Sequence, residues 1–88
     1  MKYVFTSDAG HGWLRVSMVE LYLYDIHEKI TPYSYRKGDY AYLEEDCDVH
    51  TFLAAKVRNE PFDAWWDNNV ATRHCRRSHI RNYNRYTC

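Results

Sequence analysis

The segment YSYRKGDYAYLEE, residues 33–45, carries the alternation expected of a β-hairpin. Strand side chains point to the two faces of a sheet with a period of two, and tyrosine recurs at every second position here. A two-residue turn at Lys37-Gly38 predicts that four tyrosines share one face: Tyr33, Tyr35, Tyr40 and Tyr42. The other face then carries Ser34, Ala41 and Leu43. We therefore expect the aliphatic face to cover the core and the tyrosine face to point outward.

Two strands and a helix are predicted before this hairpin. The runs KYVFT (residues 2–6) and WLRVS (residues 13–17) are rich in strand-forming residues, and the glycine-containing loop SDAGHG lets them pair. Ser17 followed three positions later by Glu20 forms a capping box. Apolar residues then recur at spacings of three and four, so we expect a helix at residues 18–28. Its predicted apolar face consists of Val19, Leu23, Ile26 and Ile30, flanked by Tyr22.

A second helix and a short helical turn are predicted after the hairpin. Asp46 or Asp48 is positioned to cap this helix. Its apolar stripe, with a lysine stem lying along it, consists of Val49, Phe52, Leu53, Lys56 and Val57. The sequence FDAWWDNN at residues 62–69 predicts one helical turn that sends one of Trp65 and Trp66 into the core.

The order of these elements defines a fold class. Two strands, a helix, two strands and a helix predict an α+β domain with a small, mainly antiparallel sheet made of two hairpins. Both helices are expected on one face of that sheet. We place the compact domain at residues 1–72 and a basic, arginine- and tyrosine-rich tail, forming coil or a short strand, at residues 73–88.

Charges are segregated along the sequence, although the 88-residue chain has no net charge. Residues 39–48 contain five acids and no base, whereas residues 73–86 contain five arginines and no acid. A tethered tail meets its own domain at high effective concentration. We therefore expect the tail to dock through ion pairs between its arginines and an acidic run: Glu44, Glu45, Asp46 and Asp48.

The composition disfavours several other classes of protein. Hydrophobic residues make up 45% of the chain, which suits a folded core rather than disorder. No apolar run approaches the ~18 residues of a membrane span, and the start of the chain does not have the pattern of a secretory leader. We expect a cytoplasmic protein of a bacterial host cell, with no cofactor and with three free thiols: Cys47, Cys75 and Cys88.

Metal binding and catalysis remain alternatives with weaker support. Cys47 and His50 form a C-x-x-H motif, which is half of a zinc site, but the adjacent His74 and Cys75 point apart and make a poor second half. We therefore predict no metal site. For catalysis, no nucleophile motif surrounds the candidate residues, and a domain of this size has little room for a deep pocket. The candidates are Cys47, Cys75 or Ser7 as nucleophile, His11 or His50 as base, and Asp8 as orienting group.

Three segments, AGHGWLRV, YSYRKGDYAYLEEDCD and IRNYNRY, resemble a set of small, mostly uncharacterised proteins encoded by phages and prophage-bearing bacteria. The resemblance covers most of the chain. It implies an origin in an accessory element, whose small proteins often bind host machinery. It carries no catalytic residue over to this chain.

We therefore predict a small non-enzymatic protein that binds and blocks a host or defence protein complex, in the manner of an anti-CRISPR inhibitor. A rigid aromatic centre with a charged rim suits protein recognition. The predicted docking residues are Tyr33, Tyr35, Tyr40, Tyr42, Glu44, Glu45 and Asp46. The alternative is a nucleic-acid-binding protein, whose tail holds phosphates and stacks bases. Its predicted residues are Arg73, Arg76, Arg77, Arg81, Tyr83, Arg85 and Tyr86. A small hydrolase-like or metal-binding protein is the second alternative.

Overall fold

A six-stranded sheet with three helices forms the protein in a computed structural model, which describes residues 3–76 and 78–87. The elements in chain order are β1 (Tyr3–Ser7), β2 (Gly12–Ser17), α1 (Met18–Leu23), β3 (Tyr35–Lys37), β4 (Tyr40–Glu44), α2 (Asp48–Lys56), α3 (Phe62–Asn69), β5 (Val70–His74) and β6 (Asn84–Arg85). Short 3-10 turns lie at His27–Lys29 and His79–Asn82. Arg77 and Cys88, which the sequence analysis singles out, lie outside the described residues.

The sheet has the strand order β5-β1-β2-β4-β3-β6. Every neighbouring pair is antiparallel except β1 and β5, which run parallel. The predicted α+β class with a mainly antiparallel sheet is thus confirmed. The described residues contain a third helix and two further strands beyond the predicted ββαββα order. FDAWWDNN forms a full helix, β5 spans the predicted boundary between the domain and the tail, and the tail supplies β6.

The central hairpin turns one position later than the sequence predicts. Gly38 and Asp39 form the loop, so that Lys37 lies opposite Tyr40 and Tyr35 lies opposite Tyr42. Gly38 has a φ of 59°, and a glycine with positive φ at the first central position is typical of a type II′ turn, whose twist suits a hairpin. The predicted turn at Lys37-Gly38, which would place Tyr35 opposite Tyr40, is therefore wrong. Because the register shifts by two residues, the strand side chains keep their predicted faces.

The three helices pack on one face of the sheet, where the main core lies. Ala41 and Leu43 of β4 are fully buried on this face, as the alternation predicts. The predicted stripe of α2 is buried against them through Val49, Phe52, Leu53 and Val57. From α3, Trp65 enters the core and Trp66 is half-buried against it.

Helix α1 is shorter than predicted and buries a different face. It ends at Leu23, and Asp25 then adopts a left-handed conformation with a φ of 57°, so the predicted three turns do not form. Met18 and Leu21 enter the core. The prediction that Val19 and Leu23, flanked by Tyr22, face the core is wrong, because Val19 is 62% exposed, Tyr22 51% and Leu23 76%. The other two residues of the predicted face, Ile26 and Ile30, are buried as expected.

Polar groups join the start of α2 to the loop before β3. Asp48 is buried and accepts hydrogen bonds from the N–H and hydroxyl of Thr31 and from the hydroxyl of Ser34. Glu44 supplies the cap instead, since its carboxylate accepts the backbone N–H groups of Asp46, Cys47 and Asp48 at 2.6–2.8 Å. The prediction that Asp46 or Asp48 caps α2 is therefore wrong.

The chain crosses the whole width of the sheet near its end, because β5 and β6 lie at opposite edges. Five strand spacings amount to about 24 Å, and the ten steps from residue 74 to residue 84 (84 − 74) reach about 33 Å when fully extended. The connection between the two edges therefore has little slack, and its residues 78–83 are here called the crossing segment. Ile80 packs on Trp13 and Tyr35 in a second, smaller apolar cluster.

We expect Asp48→Ala to lower the free energy of unfolding by about 3 kcal/mol, because it leaves buried hydroxyl and N–H groups of Thr31 and Ser34 without an acceptor. Urea unfolding measures the difference. The control is Asp46→Ala, whose exposed side chain should change the stability by no more than about 0.5 kcal/mol. Equal losses in the two variants would contradict the role given to Asp48.

Candidate functional site on the helix-free face

The helix-free face of the sheet consists of the strand side chains that point away from the core. Its members follow from the strand registers: Val4, Thr6, Trp13, Arg15, Ser17, Tyr35, Lys37, Tyr40, Tyr42, Glu44, Ala71, Arg73 and Arg85. It therefore combines aromatic and cationic residues from five of the six strands with one acid, Glu44, whose carboxylate is engaged at the start of α2. The sequence locates Tyr35, Tyr40 and Tyr42 on this face correctly, whereas the fourth predicted tyrosine, Tyr33, precedes β3. The sequence does not select Arg15 or Lys37. The alternation of WLRVS, which places Arg15 on the side of Trp13, is the signal that locates Arg15.

The crossing segment covers part of this face. Trp13 is 2% exposed, Tyr35 9% and Ile80 5%. The ring of Tyr42 lies 5.0 Å from the ring of Tyr83, and burial, assisted by the neighbouring Tyr83, raises the pKa of Tyr42 above its ordinary value. The expectation of four exposed tyrosines therefore fails for Tyr35 and Tyr42, since the chain's own end lies over them.

Two of the predicted docking tyrosines remain at the surface. Tyr33, which precedes β3, is 73% exposed, and Tyr40 is 43% exposed. Of the predicted acidic residues, Glu45 and Asp46 are exposed, while Glu44 is half-buried and engaged with the start of α2. Of the predicted docking residues, four are therefore exposed and available to a partner: Tyr33, Tyr40, Glu45 and Asp46.

One carboxylate anchors the crossing segment. The Asp8 side chain is buried and receives Arg81 in a two-point contact, with Nε 2.6 Å from Oδ2 and Nη2 2.9 Å from Oδ1. The backbone N–H groups of Gly10, His11 and Ser78 donate to the same carboxylate. The Arg81 guanidinium, outweighing the opposing effect of burial, holds the pKa of Asp8 well below its ordinary range.

The prediction that the tail arginines form ion pairs with the acidic run is wrong for the described residues. Among the described arginines of the tail, Arg81 alone forms an ion pair, and its partner is Asp8. Asp8 was selected in the sequence only as an orienting group in a catalytic loop. It follows Ser7 at the end of β1, and no charge pattern in the sequence connects it to Arg81.

The other predicted tail residues have different surroundings. Arg73 and Arg76 are exposed, and the Arg85 guanidinium lies 4.7 Å from the centre of the Tyr35 ring. Tyr86 is 2% exposed and its hydroxyl donates to the carbonyl of His27. Tyr86 therefore has a structural position in the core cluster, away from the helix-free face.

Cations lie directly over aromatic rings on this face. The Arg15 guanidinium is 4.8 Å from the centre of the Tyr40 ring, and the Lys37 ammonium is 4.8 Å from the centre of the Tyr83 ring. Within residues 3–76 and 78–87, Arg15, Lys37 and Arg73 form no ion pair. Neutral rings rather than acids thus hold the charges of Arg15 and Lys37, and Arg73 is exposed.

Two open cavities flank Tyr83, which lines both of them. The edge cavity, about 490 Å³, lies beside β3 and β6 and takes its cations from Arg36, Lys37 and Arg85. The face cavity, about 240 Å³, lies over the sheet and is lined by Arg15, Arg73 and His79 among others. The two cavities thus share Tyr83 as a lining residue, and the described residues that line them include no acid.

The residues proposed for catalysis do not assemble in the predicted way. Asp8 accepts the backbone N–H of His11 rather than its ring, and the His11 ring faces Arg81, with Nδ1 3.1 Å from Nη2. The Ser7 hydroxyl lies 3.1 Å from Nδ1 of His74, its neighbour across the parallel pair of β1 and β5. The histidine beside the Ser7 hydroxyl is therefore His74, and not His11 or His50, which were predicted as the base.

The half-site formed by Cys47 and His50 is not completed by other ligands in the part of the chain that the structure describes. Cys47 and Cys75 are free thiols, exposed and half-buried respectively. No group of three or more His, Cys, Asp or Glu side chains within that part has an arrangement that could hold a metal ion. No described helix is long and apolar enough to cross a membrane.

No protein-family model matches this chain, and neither a curated protein nor a solved structure matches it significantly. The function must therefore be argued from the geometry of the helix-free face.

We expect Asp8→Asn to reduce the dependence of stability on acid pH. The pKa of Asp8 is lowered in the folded state from an ordinary value of 3.8, so its contribution is complete above that value and is lost as the pH falls below it. The free energy of unfolding, measured with urea between about pH 5 and pH 3, should fall more steeply for the natural chain than for Asp8→Asn. Asp46→Asn is the control and should keep the natural slope; a natural slope in Asp8→Asn would contradict the anchoring role.

Proposed function

We propose that this protein binds single-stranded nucleic acid across its helix-free face. The observation that carries the proposal is the pair of acid-free cavities on either side of Tyr83. Proteins that bind single strands combine a cationic groove, which follows the phosphates, with rings on which bases stack. The edge cavity and the face cavity supply the groove, and the tyrosines between them supply the rings.

The charges of this face support the proposal although the chain as a whole is neutral. A neutral protein exerts little long-range attraction on a polyanion, so binding must depend on a local patch. Arg15, Lys37 and Arg73 are held at the surface without an acidic partner among the described residues. A phosphate that approaches them has no internal acid to displace.

The aromatic residues support a single strand rather than a duplex. Bases of a duplex are stacked on one another and cannot reach a ring, whereas unpaired bases can lie against tyrosine or arginine planes. Tyr40 carries the guanidinium of Arg15 over its ring, and both are accessible from the helix-free face. The pair forms a platform for one base beside the face cavity.

This proposal changes the residues expected for nucleic-acid contact. It retains Arg73, Tyr83 and Arg85 from the predicted tail set. It adds Arg15, Arg36 and Lys37, which the sequence did not select, and Tyr40, which the sequence selected for a protein interface. It leaves out Arg81, which binds Asp8, and Tyr86, which lies in the core, because both have structural roles.

We expect the double variant Lys37→Gln/Arg73→Gln to weaken binding to oligo(dT) and to lessen its salt dependence. Each phosphate contact removed should reduce the slope of log K against log salt concentration by about 0.7. Fluorescence anisotropy between about 50 and 200 mM salt measures both quantities.

The matched control for that experiment is Lys29→Gln/Arg58→Gln. It removes the same charge from exposed positions that line neither the edge cavity nor the face cavity. It should bind as the natural chain does. Equal weakening by the control, or affinity insensitive to salt in the natural chain, would overturn the proposal.

We expect Tyr40→Leu to weaken binding of the same oligonucleotide by about 1–3 kcal/mol, because it removes a stacking surface while keeping apolar bulk. Tyr40→Phe keeps the ring and should restore affinity. Tyr22→Leu, an exposed tyrosine on α1, is the control and should have no effect. A Phe variant as weak as the Leu variant would argue against stacking.

A second candidate function is the blocking of a host or defence protein, in line with the sequence resemblance to phage proteins. The observation that favours it is the exposed apolar surface of α1, formed by Val19, Tyr22 and Leu23. Large apolar side chains that are exposed next to one another suit the centre of a protein interface. Salt separates the two candidates, because binding through this surface should be nearly independent of ionic strength.

A further inference from the structure

A third cavity lies beside the nucleic-acid surface and has a different chemistry. This cavity, here called the aromatic cavity, measures about 480 Å³, within the range of ~300–1,000 Å³ found for small-molecule sites. Three aromatic rings line it, from Trp13, Tyr33 and Tyr35. Unlike the edge cavity and the face cavity, it is also lined by acids.

The inner wall of the aromatic cavity is rigid. The rings of Trp13 and Tyr35 meet edge to face with their centres 6.1 Å apart, and the His11 ring stacks on Trp13 at 6.0 Å. Both Trp13 and Tyr35 are buried beneath the crossing segment. The wall is thus fixed in shape before any ligand arrives, which favours a flat, aromatic occupant.

One side of the cavity is cationic. Arg81 lies over Trp13, with its guanidinium carbon 5.4 Å from the ring centre, and Arg85 lies over Tyr35 at 4.7 Å. Asp8 holds Arg81, whereas the Arg85 side chain is exposed and forms no ion pair among the described residues. Arg85 also lines the edge cavity, so the aromatic cavity opens onto the proposed path of the phosphates.

Another side of the cavity carries hydrogen-bond acceptors. Glu44 already accepts three backbone N–H groups at the start of α2. The Asp46 side chain is exposed and accepts no hydrogen bond from the described residues. A carboxylate in this position offers two parallel acceptor oxygens to a ligand in the cavity.

We propose that the aromatic cavity binds a guanine base, which rests on the proposed function of the neighbouring surface. The base lies flat against the exposed ring of Tyr33, and Asp46 accepts its N1–H and 2-amino groups. Arg85 binds the adjoining phosphate. The site needs a ring that stacks, an edge with two parallel donors, and an attached anion, and a guanine nucleotide combines all three.

Other bases match the cavity less well. Adenine and cytosine present an acceptor beside their amino group on the corresponding edge, which would face the carboxylate of Asp46 with like polarity. Uracil and thymine present one N–H between two carbonyl groups. A two-point contact distinguishes bases by roughly tenfold or more in affinity. The carboxylate is therefore the source of the selectivity, while the rings and Arg85 contribute to binding of any nucleotide.

The test compares GMP, IMP and AMP by isothermal titration calorimetry with the natural chain, Asp46→Asn and the control Glu45→Gln. We expect GMP to bind about tenfold or more tighter than AMP, with IMP between them because it lacks the 2-amino donor. Asp46→Asn should abolish the preference for GMP over AMP, because the amide keeps only one acceptor for guanine and no longer opposes the ring acceptor of adenine. Glu45 is exposed and does not line the cavity, so its variant should keep the preference.

A second arm distinguishes a free nucleotide from a guanine within a strand. Oligo(dT) of about ten nucleotides is compared with the same strand carrying one guanine. A tighter complex with the guanine strand, abolished in Asp46→Asn, identifies the strand as the ligand; a preference for GMP alone identifies the free nucleotide. Equal affinities for GMP and AMP, or a preference that survives in Asp46→Asn, would overturn the inference. Binding of plain oligo(dT) reports separately on the proposed function, because thymine does not use Asp46.

Discussion

The contact between Asp8 and Arg81 fixes the path of the last part of the chain. The carboxylate lies at the end of β1 and collects two guanidinium donors and three backbone N–H groups, from both its own loop and the crossing segment. Charge-assisted, two-point contacts of this kind are short and directional. They hold residues 78–83 against the helix-free face, where Ile80 closes the cluster with Trp13.

The fixed crossing segment accounts for the character of the surface beside it. Tyr83 lies against Tyr42 and divides the exposed part of the sheet into the edge cavity and the face cavity. Arg81 is paired with Asp8, whereas the side chains of Arg73 and Arg85 are exposed at the surface. A neutral chain therefore acquires a local cationic region, because the acids that balance its charge are placed elsewhere in the fold.

The sequence predicts most of the secondary structure and fails where a contact distant in sequence overrides a local pattern. The alternation in residues 40–43 places Ala41 and Leu43 in the core correctly, since a period of two is a local property of a strand. The spacing in residues 19–30 places Ile26 and Ile30 in the core correctly but fails for Val19 and Leu23. It fails there because Asp25 ends the helical path and the packing of Met18 and Leu21 rotates α1. The predicted position of the hairpin turn is wrong by one residue, because the left-handed conformation of Gly38 determines the register of the two strands.

The sequence by itself determined the α+β class, the main helical stripe of α2 and the outward direction of the hairpin tyrosines, because each follows from periodicity within one element. The tertiary structure alone decided the candidate sites. The partner of Arg81 lies 73 positions away, and the aromatic cavity joins residues from the first loop, the hairpin and the end of the chain. Charge patterns along a chain indicate which groups can form ion pairs, but only the folded structure determines which of these groups are in contact.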